Sequence, residues 1–186
     1  QKYSTLERIL PFWKEMEIHN SSVEILNQIW NLLFSLSDPI YQVKSWKALT
    51  KILLSLSKRE YLENTKKNIL TSMEKLTENS PIVFALYASL LVFHQEEPLA
   101  IQSMEKALEK SRNISMKEWY FFLSHILPEL EENKENPLSL CWWEKILSCQ
   151  KEIFSPRLEE EEYKAKCIEK IAESMIVLGD VSETFS

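Results

Sequence analysis

Apolar residues recur along this chain at helical spacing. Phe84, Tyr87, Ala88 and Leu91 stand at i, i+3, i+4 and i+7, one face of a 3.6-residue turn with a small residue where a neighbouring helix can come close. Tyr120, Leu123, Ser124 and Leu127 repeat that order, and Trp46, Leu49, Thr50 and Leu53 echo it more loosely. No stretch alternates apolar and polar residues for long enough to make a strand. The pattern predicts an all-α chain.

The prolines and hydroxyls mark where its helices begin. Asp38-Pro39, Ser80-Pro81, Asn136-Pro137 and Ser155-Pro156 each place a capping side chain before a proline. The cap accepts a bond from an orphan N–H, and proline at the first helical position has no N–H to orphan. Ser4 and Glu7, Ser21 and Glu24, and Ser115 and Glu118 have the spacing of capping boxes. With Glu97-Pro98 and a break near Lys58, these signals give about nine helices, over residues 4–18, 21–36, 39–57, 60–77, 81–95, 98–111, 116–132, 137–153 and 156–178. Pro128 falls inside the seventh and is expected to kink it or end it near Leu127. The short connections predict that consecutive helices pack as antiparallel neighbours.

Composition narrows the chemistry. There is one glycine, Gly179, in 186 residues, so phosphate loops, dinucleotide-binding turns and tight hairpins have nothing to be built from. The chain is 45% hydrophobic and 27% charged, which excludes disorder, and no apolar run approaches the roughly 20 residues a membrane helix needs. Pro81 to His94, the longest apolar-rich stretch, reads as a buried helix. A net charge of −6 and a pI near 5.3 are the wrong sign for binding nucleic acid along its phosphates. The acidic run Glu159 to Glu162 reads as a solvated first turn, where negative charge suits the helix dipole. Cys141, Cys149 and Cys167 match no zinc spacing, and the chain opens on Gln1 with no secretory leader. Reduced thiols in an intracellular, cytoplasmic protein are expected.

The chain also repeats itself. Pro98-Leu99-Ala100 through Glu105-Lys106-Ala107-Leu108 returns 39 residues later as Pro137-Leu138-Ser139 through Glu144-Lys145-Ile146-Leu147. A third echo, Ser72-Met73-Glu74-Lys75-Leu76, lies 31 residues before Ser103. A period in the thirties made of two helices points to an α-solenoid. Residues 81–112 resemble a tetratricopeptide (TPR) repeat: Phe84, Tyr87, Ala88 and Leu91 give the family's large-large-small-large, and Ala100, Met104 and Ala107 its small-large-small. Residues 118–149 follow with Ser139, Trp143 and Ile146, while 42–77 fit poorly because the inter-helix stretch is long and Ile69 stands at a small-residue position. Gln95 replaces the glycine usual in the turn, and Arg112 the proline usual at the repeat end. The resemblance implies a right-handed α-solenoid of antiparallel helix pairs, with capping helices over 1–37, repeats over 38–154 and a capping helix and tail over 155–186.

No catalytic constellation stands out. His19, His94 and His125 are scattered without an HExxH motif, so neither a metal nor another cofactor is expected, and the chain reads as non-enzymatic. The resemblance implies instead that another protein or peptide segment lies along the first-helix faces. The positions lining that groove would be Lys44, Lys47 and Lys51, then Ile82, Ala85 and Ser89, then Glu118, Phe121 and His125. Ala85 and Ser89 lack the charge of the family's Lys/Asn carboxylate clamp, which argues against a chaperone-tail adaptor. The groove would be basic at one end and aromatic at the other, suited to a segment with an acidic part and an apolar anchor. Trp142, at the position matched by polar Ser103, either packs on the following helix or serves as an exposed contact anchor. Scaffold, adaptor and chaperone roles all fit such a module. The competing reading is an architectural subunit locked into a permanent assembly; an RNA-binding solenoid would need a broad basic groove that the acidic pI opposes.

Overall fold

The computed structural model describes residues 22–55, 59–75, 80–154 and 161–182. The expected helix over 4–18 and the capping boxes at Ser4 and Ser21 lie outside the described residues, as do the break near Lys58 and the Ser155-Pro156 signal. Among the described residues every element is a helix and there is no strand: α1 Ser22–Phe34, α2 Pro39–Ser55, α3 Arg59–Glu74, α4 Pro81–Phe93, α5 Glu97–Ser111, α6 Met116–Glu132, α7 Pro137–Phe154 and α8 Glu161–Ser182. The all-α expectation holds. No described helix is long and apolar enough to cross a membrane.

The helix starts follow the capping chemistry. Asp38 Oδ1 accepts the Ile40 N–H at 2.9 Å, and Asn136 Oδ1 accepts the Leu138 N–H at 2.9 Å. Ser115 forms a complete capping box: its Oγ accepts the Glu118 N–H at 3.2 Å while its own N–H donates to Glu118 Oε2 at 2.8 Å. Helix α4 ends in a left-handed turn. Gln95 has φ 58°, and the Glu96 N–H reaches back to the Leu91 carbonyl at 3.0 Å, the 6→1 bond of a Schellman cap. A side chain with a Cβ pays steric strain there that glycine would avoid.

Pro128 neither stops nor shortens α6, which runs on to Glu132. Its ring lies on the exposed side of the helix, and Asn133 Nδ2 donates to the Glu129 carbonyl at 2.9 Å beyond it. The buried face of α6 continues unbroken through Ile126, Leu127 and Leu130, so packing overrides the lost ladder bond.

The residues cluster into two compact units. Unit 1 spans 1–78 and 93–95. In it α1 packs on α2 and α3, and α2 packs on α3, around Leu26, Leu33, Val43, Trp46, Leu49, Leu53 and Ile69, all nearly inaccessible. Trp30 Nε1 donates to Thr65 Oγ1 at 3.2 Å, tying α1 to α3, and Gln42 Nε2 donates to the Leu33 carbonyl at 3.1 Å.

Unit 2 spans 79–92 and 96–186. Here α6 packs most extensively on α8 and also on α7, α5 packs on α7, and α7 touches α8. Every residue from Ala85 to Leu91 is buried, as expected of a helix apolar all round. Helix α5 is tied to α4 by Ser103 Oγ, which donates to the Phe84 carbonyl at 2.8 Å. Ser103, polar as it is, lies buried. Two carboxylates hold unit 2 together at one end of α6: Ser89 Oγ donates to Glu129 Oε2 at 2.9 Å, and Ser174 Oγ donates to Glu131 Oε1 at 2.6 Å. The outward side of α8 leaves Ile168, Met175 and Ile176 more than half exposed.

Candidate partner-binding surfaces

The capping box at Ser115 fixes where α6 begins and therefore which residues face inward. Met116, Trp119, Phe122, Leu123, Ile126, Leu127 and Leu130 are buried, with Trp119 and Phe122 stacked at 5.0 Å. The opposite face carries Glu118, Phe121 and Pro128 in the open and His125 partly so. Phe121 is 43% exposed. It belongs to a small aromatic surface: its ring lies 5.9 Å from Tyr120, which lies 6.0 Å from Tyr163 of α8. The Lys166 ammonium sits 5.0 Å from the Tyr163 ring and pairs with Glu162, which holds the Lys166 pKa above, and the Glu162 pKa below, its usual range. His125 Nδ1–H donates to the Phe121 carbonyl at 2.8 Å, which fixes the ring against the helix backbone. The face therefore offers an aromatic anchor beside a polar ring.

The remaining expected groove positions fare differently. Ala85 is wholly buried, Ser89 is buried with its hydroxyl on Glu129, and Trp142 is only 2% exposed. None of the three presents a surface, because α4 is enclosed on every side and Trp142 packs inward like Ser103. Ile82 is partly exposed. In unit 1, Lys44 and Lys51 are partly exposed, whereas Lys47 is 6% exposed. Its ammonium lies 5.3 Å from the centre of the Phe93 ring, and that of Lys51 lies 5.7 Å away. A four-carbon stem buries easily when its charged end meets an aromatic face, so the lysine row is not a uniform solvated stripe.

Unit 1 also contains a cavity of about 570 Å³ that sequence reasoning missed. Its apolar walls are Leu54, Leu62 and Phe93. Its polar groups are Arg59, Glu63, His94 and Gln95. His94 Nε2 is 2.9 Å from Thr50 Oγ1, which pins the imidazole to α2. The one signal in the sequence was Gln95, standing where the turn favours glycine.

Cys167 is buried in α8, and burial pushes its thiol up to about 12, so it carries essentially no thiolate near neutrality. Among the described residues no three His, Cys, Asp or Glu side chains converge as metal ligands. Compared with known proteins, the chain matches no family model, no curated protein and no solved structure.

Proposed function

We infer that this chain is a non-enzymatic protein-interaction module of TPR-like helix pairs, which holds a segment of a partner polypeptide against its first-helix faces. The observation that carries this reading is the two-sidedness of α6. One face is sealed into unit 2, while the other leaves Phe121 open among Tyr120, Tyr163 and His125. A large exposed aromatic held on a rigid helix is the usual form of a binding anchor.

Two further features support the solenoid. In unit 1 each helix packs on the other two, and in unit 2 α5 packs on α7 while α6 packs on α7 and α8, contacts that stacked pairs would make. Positions matched by the internal repeat also share their burial: Ala100 with Ser139, Ser103 with Trp142, Met104 with Trp143, and Ala107 with Ile146 are all buried. A right-handed superhelix and an intracellular, cytoplasmic setting follow from the same reading.

The architectural-subunit alternative draws on Ile168, Met175 and Ile176, which give α8 an apolar outer side. One experiment separates the two. The chain is immobilised, partners are captured from native lysate and identified, and association and dissociation rates are measured for Phe121→Ala and for Ile176→Glu. Faster dissociation with Phe121→Ala alone supports the first-helix face; an effect of Ile176→Glu alone replaces it with the architectural reading.

A further inference from the structure

The cavity of unit 1 carries an inference beyond the general reading. We propose that it is a specificity pocket for a peptide side chain of apolar character standing next to a carboxylate, with the Arg59 guanidinium as the carboxylate's partner. This rests on the protein-interaction reading and names the chemistry of the partner.

The volume, about 570 Å³, lies within the range of sites that enclose a ligand, roughly 300–1,000 Å³, and takes a large side chain with its neighbouring backbone. Leu54, Leu62 and Phe93 come from the end of α2, the first turns of α3 and the end of α4, and they supply an apolar floor for a phenyl or branched aliphatic group. The charge complementarity comes from Arg59. It is the first residue of α3, exposed, and makes no ion pair or hydrogen bond with any described residue. Of the two carboxylates that follow it in α3, Glu60 is exposed, and Glu63 is turned to Lys66, with Oε2 3.5 Å from Nζ. A guanidinium presents five donors in a planar fork that fits a carboxylate through two parallel bonds. The start of α3 adds its own positive end to the same place.

Gln95 completes the argument. The left-handed φ of 58° is a position where glycine is free of strain, and the residue present there instead lines the cavity and carries a carboxamide, a group that can both donate to and accept from a peptide backbone. Strain held at a turn that lines a pocket is a pattern found where side-chain identity serves binding.

The test uses the full chain and short capped peptides containing Phe-Glu, Phe-Gln or Phe-Lys, with free 3-phenylpropionate as a fourth probe. Binding is followed by calorimetry and by amide chemical shifts of Leu54, Leu62 and Phe93. The Phe-Glu peptide should bind and shift those amides, while Phe-Gln and Phe-Lys should bind at least about ten-fold more weakly, the loss expected for one charge-assisted bond. Arg59→Gln should abolish the preference for Glu over Gln, and Arg59→Lys should restore part of it. Gln95→Gly should raise the melting temperature while weakening the Phe-Glu peptide. Equal affinity for Phe-Glu and Phe-Gln, or a preference that survives Arg59→Gln, would overturn the proposal. Free 3-phenylpropionate binding as tightly as the peptide would overturn the peptide as occupant in favour of a small acid. If lysate capture finds no partner yet the Phe-Glu peptide binds here through Arg59, the pocket stands and the wider reading fails. Capture that depends on Phe121 but is indifferent to Arg59 gives the reverse.

Discussion

The α4–α5 contact is the place where one added side chain should do most damage. Ala100, Ser103 and Ala107 stand at i, i+3 and i+7 on α5 and are 0%, 4% and 0% exposed. They form a buried face of α5, on which the Ser103 hydroxyl reaches the Phe84 backbone carbonyl of α4 at 2.8 Å. A serine Oγ bonds a carbonyl across an interface only when the two backbones are near one another, so a leucine at Ala100 has no void to fill. Overpacking of this kind typically costs about 1–3 kcal/mol. For a chain of this length each kcal/mol moves the melting temperature by roughly 2–4 °C, so Ala100→Leu should melt about 2–12 °C lower. Gln102→Leu, on the exposed side of the same helix, adds an apolar group of the same kind without touching α4 and should change stability by no more than about 0.5 kcal/mol. Both are compared by thermal unfolding followed by circular dichroism at 222 nm, a wavelength set by the helical fold. Ala100→Leu melting within a degree of Gln102→Leu would refute the close approach of the two helices.

Other consequences can be checked in the same way. Ser103→Leu should also destabilise, by overpacking and by loss of the bond to Phe84, in contrast with the tolerance expected of a polar surface site; denaturant midpoints decide. Ser115→Ala removes the capping box of α6 and should cost about 1 kcal/mol, read from urea unfolding. Ser72 Oγ is buried without a hydrogen-bond partner, so Ser72→Ala should leave stability unchanged or raise it by up to about 1 kcal/mol in the same assay. Burial raises the Cys167 pKa from 9.0 to about 12, so between those values the unfolded chain has released a proton that the native chain still holds. Stability from this group is therefore full below about pH 9 and lost progressively as pH rises toward 12. Cys167→Ala should flatten that alkaline slope in unfolding titrations.

Helix content and helix starts were legible in the chain because they are local. Asp38-Pro39, Asn136-Pro137 and the Ser115–Glu118 pair carry their own hydrogen-bond partners within a few residues, and the structure uses all three. What the sequence hid depends on distant neighbours. Lys47 reads as a surface cation until Phe93, 46 positions away, offers its ring. Ser103 and Trp142 look polar or ambiguous by periodicity, yet both face inward because α4 and α5 run so close and because the matching position in α7 has room for an indole. Ala85 and Ser89 were placed on a groove by analogy with repeats whose first helices have an open side, whereas α4 is apolar around its whole circumference and has none. Arg59 carried no signal at all, since an arginine at a helix start is ordinary until the residues around it are seen to enclose a cavity.

Pro128 has a consequence for how unit 2 opens. Without its N–H, the backbone carbonyl of Ser124 loses its usual partner four residues on, so one ladder bond is missing just before the last turn of α6. That same turn carries Glu129 and Glu131, the two carboxylates that receive Ser89 from α4 and Ser174 from α8. That turn is thus tied to two other helices of unit 2 in addition to the ladder bonds it keeps. In native-state hydrogen exchange, the amides of Leu130 to Glu132 should not fray on their own as a helix end ordinarily does. They should exchange together with the core of unit 2, and Ser174→Ala should release them into a separate, faster-opening segment.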